Sequence, residues 1–487
     1  MTYWAARTYL PHPARLTLVI TLLLSLLVGG CTLISLLLYD LSPDGQAYHQ
    51  EGVYQLAHGW NPFLDPYLKP LSNHIELNHF PKGPWILAAT MYRLTGHIEA
   101  GKFTNLILVC AAFLLALAVL SRFRDKPNFW PLTMAALVAA NPVALCQLST
   151  FYVDGQMASL LACLVALCFL ARADGNSWVY LVLFESAVLA IEVKFTGPVY
   201  VAMLFAGFIA LLVWKKRPSR KPLAVALLAL GLGTFAFGMH PYTFNTVNYG
   251  HPFYPFFGRS GATDMGVSEQ APLDFQNSNR VRNLVISIFS RSRVLPDPSS
   301  PKLPWQIDWD ECADFAYPDV RTGGFGPLFA AALVASLTLL GLGLIERRRA
   351  CRTCAGIIGI LIGSVLPVSA CWWARYVPQL WLIPLVAMIP LGGIVQSTRF
   401  RRLSWLPLLL LLANTMGIGL VNLHANRTQT RHLQEEMNAL RTDAPFRVNF
   451  GEFRSQRFRL REAGIPFTED DEITSCDPEF RFFCVRH

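Results

Sequence analysis

Two aspartates, Asp40 and Asp44, follow directly on the first long apolar run, in Tyr39-Asp-Leu-Ser-Pro-Asp-Gly-Gln-Ala-Tyr-His-Gln-Glu51. Four residues apart, they share a face on any helical turn. A carboxylate at that position can take a proton from a hydroxyl or hold a divalent cation. It can equally solvate a helix end or cap the next helix, with Pro43 setting the turn. Further on, Lys82 stands among prolines in Asn78-His-Phe-Pro-Lys-Gly-Pro-Trp85, where a fixed ammonium suits a phosphate oxygen. His74, Glu76 and His79 match no metal-binding spacing, so ordinary polar contacts account for them.

More charges sit at the ends of apolar runs. Asp154 follows Phe151-Tyr-Val, Lys194 opens Lys194-Phe-Thr-Gly197, and Arg375 lies in Trp372-Trp-Ala-Arg-Tyr376. Basic residues there often snorkel to the headgroups, and Trp or Tyr often serve as plain anchors. Glu192 lies just inside an apolar boundary, which is costly unless a basic partner is near.

The elements that must position these groups are membrane spans. The chain has 487 residues, 53% hydrophobic and 15% charged, too apolar for a soluble protein. Its basic residues cluster at Arg122/Arg124/Lys126, Lys215/Lys216/Arg217/Arg220/Lys221, Arg347/Arg348/Arg349/Arg352 and Arg399/Arg401/Arg402, between apolar runs, while alternate loops hold almost none. This alternation orients a polytopic protein, and the clusters would meet anionic headgroups. They also account for the formal charge of +9, and without a recognition motif nucleic acid is not a partner.

Eleven spans are expected, at roughly 16–39, 101–121, 129–148, 155–172, 178–194, 196–214, 222–239, 323–345, 355–370, 377–396 and 403–422. Val28-Gly-Gly-Cys31 has the look of a lipoprotein cleavage site, but the apolar run continues past it, so the first span reads as an uncleaved anchor. Residues 84–95 are too few to cross and read as a surface helix. The N-terminus then lies in the cytoplasm and the C-terminus outside. Residues 1–422 form the transmembrane domain, with outer loops at 40–100 and 240–322, and 423–487 form a small polar extracytoplasmic region. That tail reads as an appendage on a core that folds without it. The Pro/Ser-rich stretch 296–304 is expected to be mobile, and Arg280, Arg282, Arg291 and Arg293 read as a solvated loop face. The cysteines give no zinc framework; Cys476 and Cys484 suit a small disulfide loop in an oxidising compartment.

Ser42-Pro-Asp44-x-x-x-Tyr48, Gly59-x-Asn-Pro62 and Pro81-Lys-Gly-Pro-Trp85 together resemble the opening of the GT-C membrane glycosyltransferases, nearest in pattern to the protein O-mannosyltransferases and lipid A aminoarabinose transferases. Phe151–Asp154, Lys194–Gly197, Asn248-Tyr-Gly-His-Pro-Phe-Tyr-Pro255 and Arg375-Tyr-Val-Pro378 follow in the family's order, so the resemblance covers roughly 15–425. It implies an all-α polytopic fold in a bacterial inner membrane. The implied reaction is inverting transfer of a sugar from a polyprenyl-phosphate donor to a hydroxyl of a lipid, glycan or protein. Asp44 would be the base, with Asp40 or Asp154 orienting the acceptor. Lys82, Lys194 and Arg375 would hold the donor phosphate, and Tyr48, His79 and Tyr376 would line the substrate site. The chain departs from the pattern where Gly45 replaces the family's usual Glu and Lys82-Gly-Pro replaces Lys-Pro-Pro, which leaves a divalent cation open as a cofactor. An O-antigen polymerase or ligase would instead rely on Arg and His in the large loop. A transporter or flippase would carry its charges at mid-membrane.

Overall fold

The computed structural model describes residues 13–65, 74–123, 129–255, 270–308, 310–346, 348–390, 402–442, 445–474, 476–477 and 480–486. Arg124, Lys126, Arg347, Arg399 and Arg401 of the basic clusters, and the 391–396 end of the tenth expected span, lie outside them.

Each expected span coincides with helix. Among the described residues, five helices are long and apolar enough to cross a membrane: Thr17–Ser35, Ile98–Leu120, Asp154–Asp174, Gly197–Trp214 and Trp405–Thr442. A further apolar pair, Lys221–Phe237 and Met239–Tyr249, meets at 79°, the shape of a broken span or a re-entrant loop. The bend falls where His240 leaves helical backbone angles just ahead of Pro241, which cannot donate a helical hydrogen bond. The other expected spans are shorter helices, Phe129–Ala139, Ser177–Val193, Phe329–Ile345, Arg349–Val365 and Pro378–Met388. Asp154–Asp174 is the most enclosed of the five, packing against Phe103–Leu120 and Ser177–Val193.

Residues 84–95 do form a helix, Gly83–Thr95, with a proline in its first turn, where the missing N–H costs nothing. Trp85, Ala88 and Ala89 face inward, while Ile86, Leu87 and Leu94 are exposed. The stretch 296–304, expected to be mobile, is pinned. Lys302 makes a buried pair with Glu311 at 2.7 Å, and Asp274 accepts the backbone N–H of Ser299 at 2.8 Å.

The fold is mostly helical, but the all-α expectation needs one correction. Beyond the helix Trp405–Thr442 lies a three-stranded sheet of β1 (Phe446–Asn449), β2 (Phe467–Glu469) and β3 (Cys484–Arg486), in the order β2-β1-β3. β1 runs parallel to β2 and antiparallel to β3, and Phe446, Val448, Phe483 and Val485 form its core. The pattern was missed because such short strands carry little alternation. The structure joins Cys476 to Cys484 in a disulfide. Trp405–Thr442 itself runs unbroken through residue 422, from an apolar first half into a polar second half.

The tail is fastened to the first loop by buried charges. Arg457 donates to both carboxylate oxygens of Glu51, at 2.9 and 2.7 Å. Arg459, with no exposed side-chain surface, donates to Glu99 at 2.9 and 2.8 Å and to the Asp40 carbonyl. Phe458 stacks on Tyr54 at 4.0 Å.

Candidate functional site

Asp154 opens the helix Asp154–Asp174, where the helix dipole favours a negative charge. The turn before it is fixed by Gln147, whose Oε1 accepts the Gly155 N–H at 2.7 Å and whose Nε2 donates to Asp154 at 3.3 Å. Lys194 sits in the tight connection between Ser177–Val193 and Gly197–Trp214. That connection requires Gly197, since a Cβ there would lie 2.0 Å from the Ala190 carbonyl oxygen. Arg375 comes from a short turn braced by the stacked, buried Trp372 and Trp373.

These segments bring one guanidinium against three carboxylates. Arg375 donates to Asp44 at 3.0 Å, to Asp154 at 2.9 Å and to Asp319 at 2.8 Å. Lys194 pairs with the other oxygen of Asp154 and lies 3.9 Å from the ring centre of Tyr376. The Tyr152 ring lies 4.6 Å from the Arg375 guanidinium. Three carboxylates face two cations, so the cluster carries an excess negative charge. Burial raises the Asp319 carboxyl above its usual value, against the pull of Arg375. Asp44 is the most open acid, its side chain 29% exposed against 18% for Asp319 and 0% for Asp154.

The other expected site residues fall around this centre in three places. Tyr48 is half-buried beside it; desolvation first, and then the charge of Asp44, raises its phenol well above the ordinary value. Lys82 occupies a neighbouring aromatic pocket, 4.9 Å from the Trp85 ring and 5.6 Å from Trp60, and donates to the Phe80 carbonyl. Burial pushes its ammonium well below the usual lysine value, opposed by the charge of Glu192. Among the described residues no carboxylate lies within ion-pair distance of it. His79 is further off, bonded to Asn245 at 2.7 Å with Tyr249 and Tyr254 edge-on.

Asp40 does not join the cluster. Its carboxylate accepts the backbone N–H groups of Phe151 at 2.7 Å and Ser42 at 2.9 Å, and its own N–H goes to Glu99. It therefore ties the Asp44 turn to the segment that leads into Asp154. This also explains Gly45: a Cβ there would lie 2.0 Å from the Asp40 Oδ2.

Sequence reasoning missed Asp319, Tyr152 and His49. Tyr152 lay inside a motif already noted, whereas Asp319 stood in the long outer loop without a local signal. His49 accepts the Trp85 indole N–H at 2.8 Å, and burial lowers its imidazole to about pH 4. Among the described residues, no group of three or more His, Cys, Asp or Glu side chains is arranged to hold a metal.

This geometry sits on an architecture already known. The crystal structure of ArnT from Cupriavidus metallidurans in the apo state superposes with a TM-score of 0.51, over 94% of this chain and 86% of that one, at 13% identity. The fold is GT-C-like. No family model matches the sequence, and no curated protein matches it closely enough to count as a relative. Likeness at this identity speaks for the architecture alone, and with the apolar helices it makes this a membrane protein.

Proposed function

We propose that this protein is an inverting membrane glycosyltransferase, taking a sugar from a polyprenyl-phosphate donor and passing it to a hydroxyl acceptor at the outer face of a bacterial inner membrane. The observation that carries the reading is the convergence of Asp44, Asp154, Lys194 and Arg375 from four distant segments on one partly open spot. The fold shared with ArnT, an aminoarabinose transferase of the GT-C type, supports the same reaction class. In the eleven-crossing topology, with the N-terminus inside and residues 423–487 outside, that spot would lie where a flipped lipid-linked sugar presents its head.

In this reading Asp44 takes the acceptor's proton as the hydroxyl oxygen attacks the anomeric carbon. The carbon–oxygen bond to phosphate breaks, and the polyprenyl phosphate leaves with the electron pair. Arg375 orients Asp44 before the substrates arrive, and Asp154 with Lys194 holds Arg375 in place. A phosphate must bring cations to a centre that is already one negative charge in excess. Lys82, buried and lacking a carboxylate partner, is the cation best placed to take it, and Arg375 can exchange Asp319 or Asp44 for phosphate oxygens.

The test is turnover of a panel of polyprenyl-phosphate sugars by protein purified in lipid nanodiscs, following release of polyprenyl phosphate. Asp44→Asn should lower turnover by about 10²–10⁴ while donor binding persists. Asp40→Asn should act through the position of the turn and cost less. A wild-type protein that turns over no member of the panel, or an Asp44→Asn variant that works normally, would overturn the assignment.

A further inference from the structure

The helix Asp154–Asp174 has a second polar junction at its other end, about 27 Å along its axis from Asp154. A cavity of about 260 Å³ opens there, lined by Arg122, Arg172 and Arg217 with Phe123 and Phe169. That is far more than the ~10–15 Å³ a single water needs. Phe169 and Arg172 also line a narrower slot running between this helix, Gly197–Trp214 and Arg349–Val365. Apart from Arg172 its walls are apolar, with Leu204, Phe208 and Ile360 among them.

Among the described residues, the charges at this junction are not balanced from within. Arg122 is committed to Asp174, through two bonds of 2.7 and 2.6 Å. Among the described residues, no carboxylate is within ion-pair distance of Arg172 or Arg217, and the buried Nε of Arg172 has no hydrogen-bond partner. Desolvation and the charges of Arg172, Arg352 and Arg349 hold the neighbouring Lys215 below its usual value, as expected of crowded cations without a counter-ion. An occupant must therefore supply negative charge with strong acceptor oxygens at one end and hydrocarbon at the other. A free phosphate leaves the slot empty, and a neutral lipid leaves Arg172 and Arg217 without a counter-charge.

We propose that this junction binds an anionic phospholipid, its phosphate held by Arg172 and Arg217 beside the Arg122–Asp174 pair and one acyl chain running along the apolar slot, on the face opposite the carboxylate cluster. The site is separate from the proposed transfer chemistry, and its test does not depend on it.

Lipid retention by the purified full-length protein is the measurement, read by native mass spectrometry after incubation with phosphatidylglycerol, phosphatidylcholine, glycerol phosphate or inorganic phosphate. Phosphatidylglycerol should be retained over phosphatidylcholine, and neither glycerol phosphate nor inorganic phosphate at equal concentration should displace it. Arg172→Gln and Arg217→Gln should each weaken retention about fivefold. Leu204→Phe, which narrows the slot, should weaken it with all three arginines in place. Arg217 is exposed, so Arg217→Gln carries the test if Arg172→Gln does not fold. Equal retention of the two lipids, displacement by glycerol phosphate or inorganic phosphate, or unchanged retention in Arg217→Gln and Leu204→Phe would each overturn the proposal.

Discussion

Replacing Arg459 by Met keeps much of the side chain's length and removes its charge. Arg459 has no exposed side-chain surface, and its guanidinium reaches Glu99, the Asp40 carbonyl and the Gln50 side chain. Breaking a buried ion pair by removing one partner costs about 3–5 kcal/mol, because the other charge is stranded. Glu99 is not fully stranded here, since Lys102 stays 2.6 Å away. The lower end, about 3 kcal/mol, is therefore expected, a factor of more than a hundred in the folding equilibrium. Arg461→Met is the control: Arg461 is half exposed and 3.5 Å from Glu469, a surface pair worth about 0–1 kcal/mol. The assay is thermal unfolding of both variants in detergent, with Glu99→Gln and the double variant closing a cycle. Arg459→Met should unfold well below Arg461→Met, and the double variant should lose less than the two single losses summed. Equal melting of the two arginine variants, or strict additivity in the cycle, would refute the reasoning. The same pairing implies that deletion of the tail takes Arg457 from Glu51 and Arg459 from Glu99 together, so truncation at 442 should weaken the membrane core as well.

His49 should make stability fall on acidification. Its folded value of about 4 lies below the ordinary 6.5, so above pH 6.5 the contribution is complete. As the pH falls from 6.5 toward 4 the unfolded chain takes a proton that the folded chain refuses, a loss of about 3 kcal/mol in all. His49→Gln can still accept the Trp85 N–H and should flatten this part of the pH profile of melting; an unchanged slope would count against the buried neutral imidazole. Gly45→Ala should impair transfer although Gly45 bears no reactive group, because its Cβ would meet Asp40 Oδ2 at 2.0 Å and Ser42 Oγ at 2.5 Å. Overpacking of this kind costs about 1–3 kcal/mol, and a Gly45→Ala protein with normal melting and normal turnover would show that the Asp44 turn is not held by Asp40.

What was legible in the sequence depended on how far a residue's partners lie along the chain. Apolar runs and alternating basic loops announce themselves locally, and each expected span coincides with helix. Asp154, Lys194 and Arg375 stood out because each lies in a short motif at the end of an apolar run. Asp319 did not, because a carboxylate in a long polar loop is ordinary until its contact with Arg375 is known. Asp40 was read beside Asp44 as possible chemistry, but its partners, the Phe151 N–H, Glu99 and Arg459, are distant in sequence. The polar tail read as an appendage for the same reason. Only the meeting of Arg457 with Glu51 and of Arg459 with Glu99 turns that polar stretch into an interior.

The unbroken helix Trp405–Thr442 gives the molecule a rigid strut. Its 38 residues make a rod about 57 Å long, of which the polar half, about 30 Å, reaches beyond the apolar part. A change of about 10° in tilt would swing the end of that polar half by about 5 Å, more than an ion pair tolerates. Helices adjust their tilt when bilayer thickness changes. With β1 to β3 at one end of the strut and the arginines of 457–459 clasping the first loop, that adjustment is resisted by the turn that carries Asp44. Membrane thickness and the alignment of the carboxylate cluster are therefore mechanically linked, and a thinner or thicker bilayer loads the candidate site without any ligand touching it.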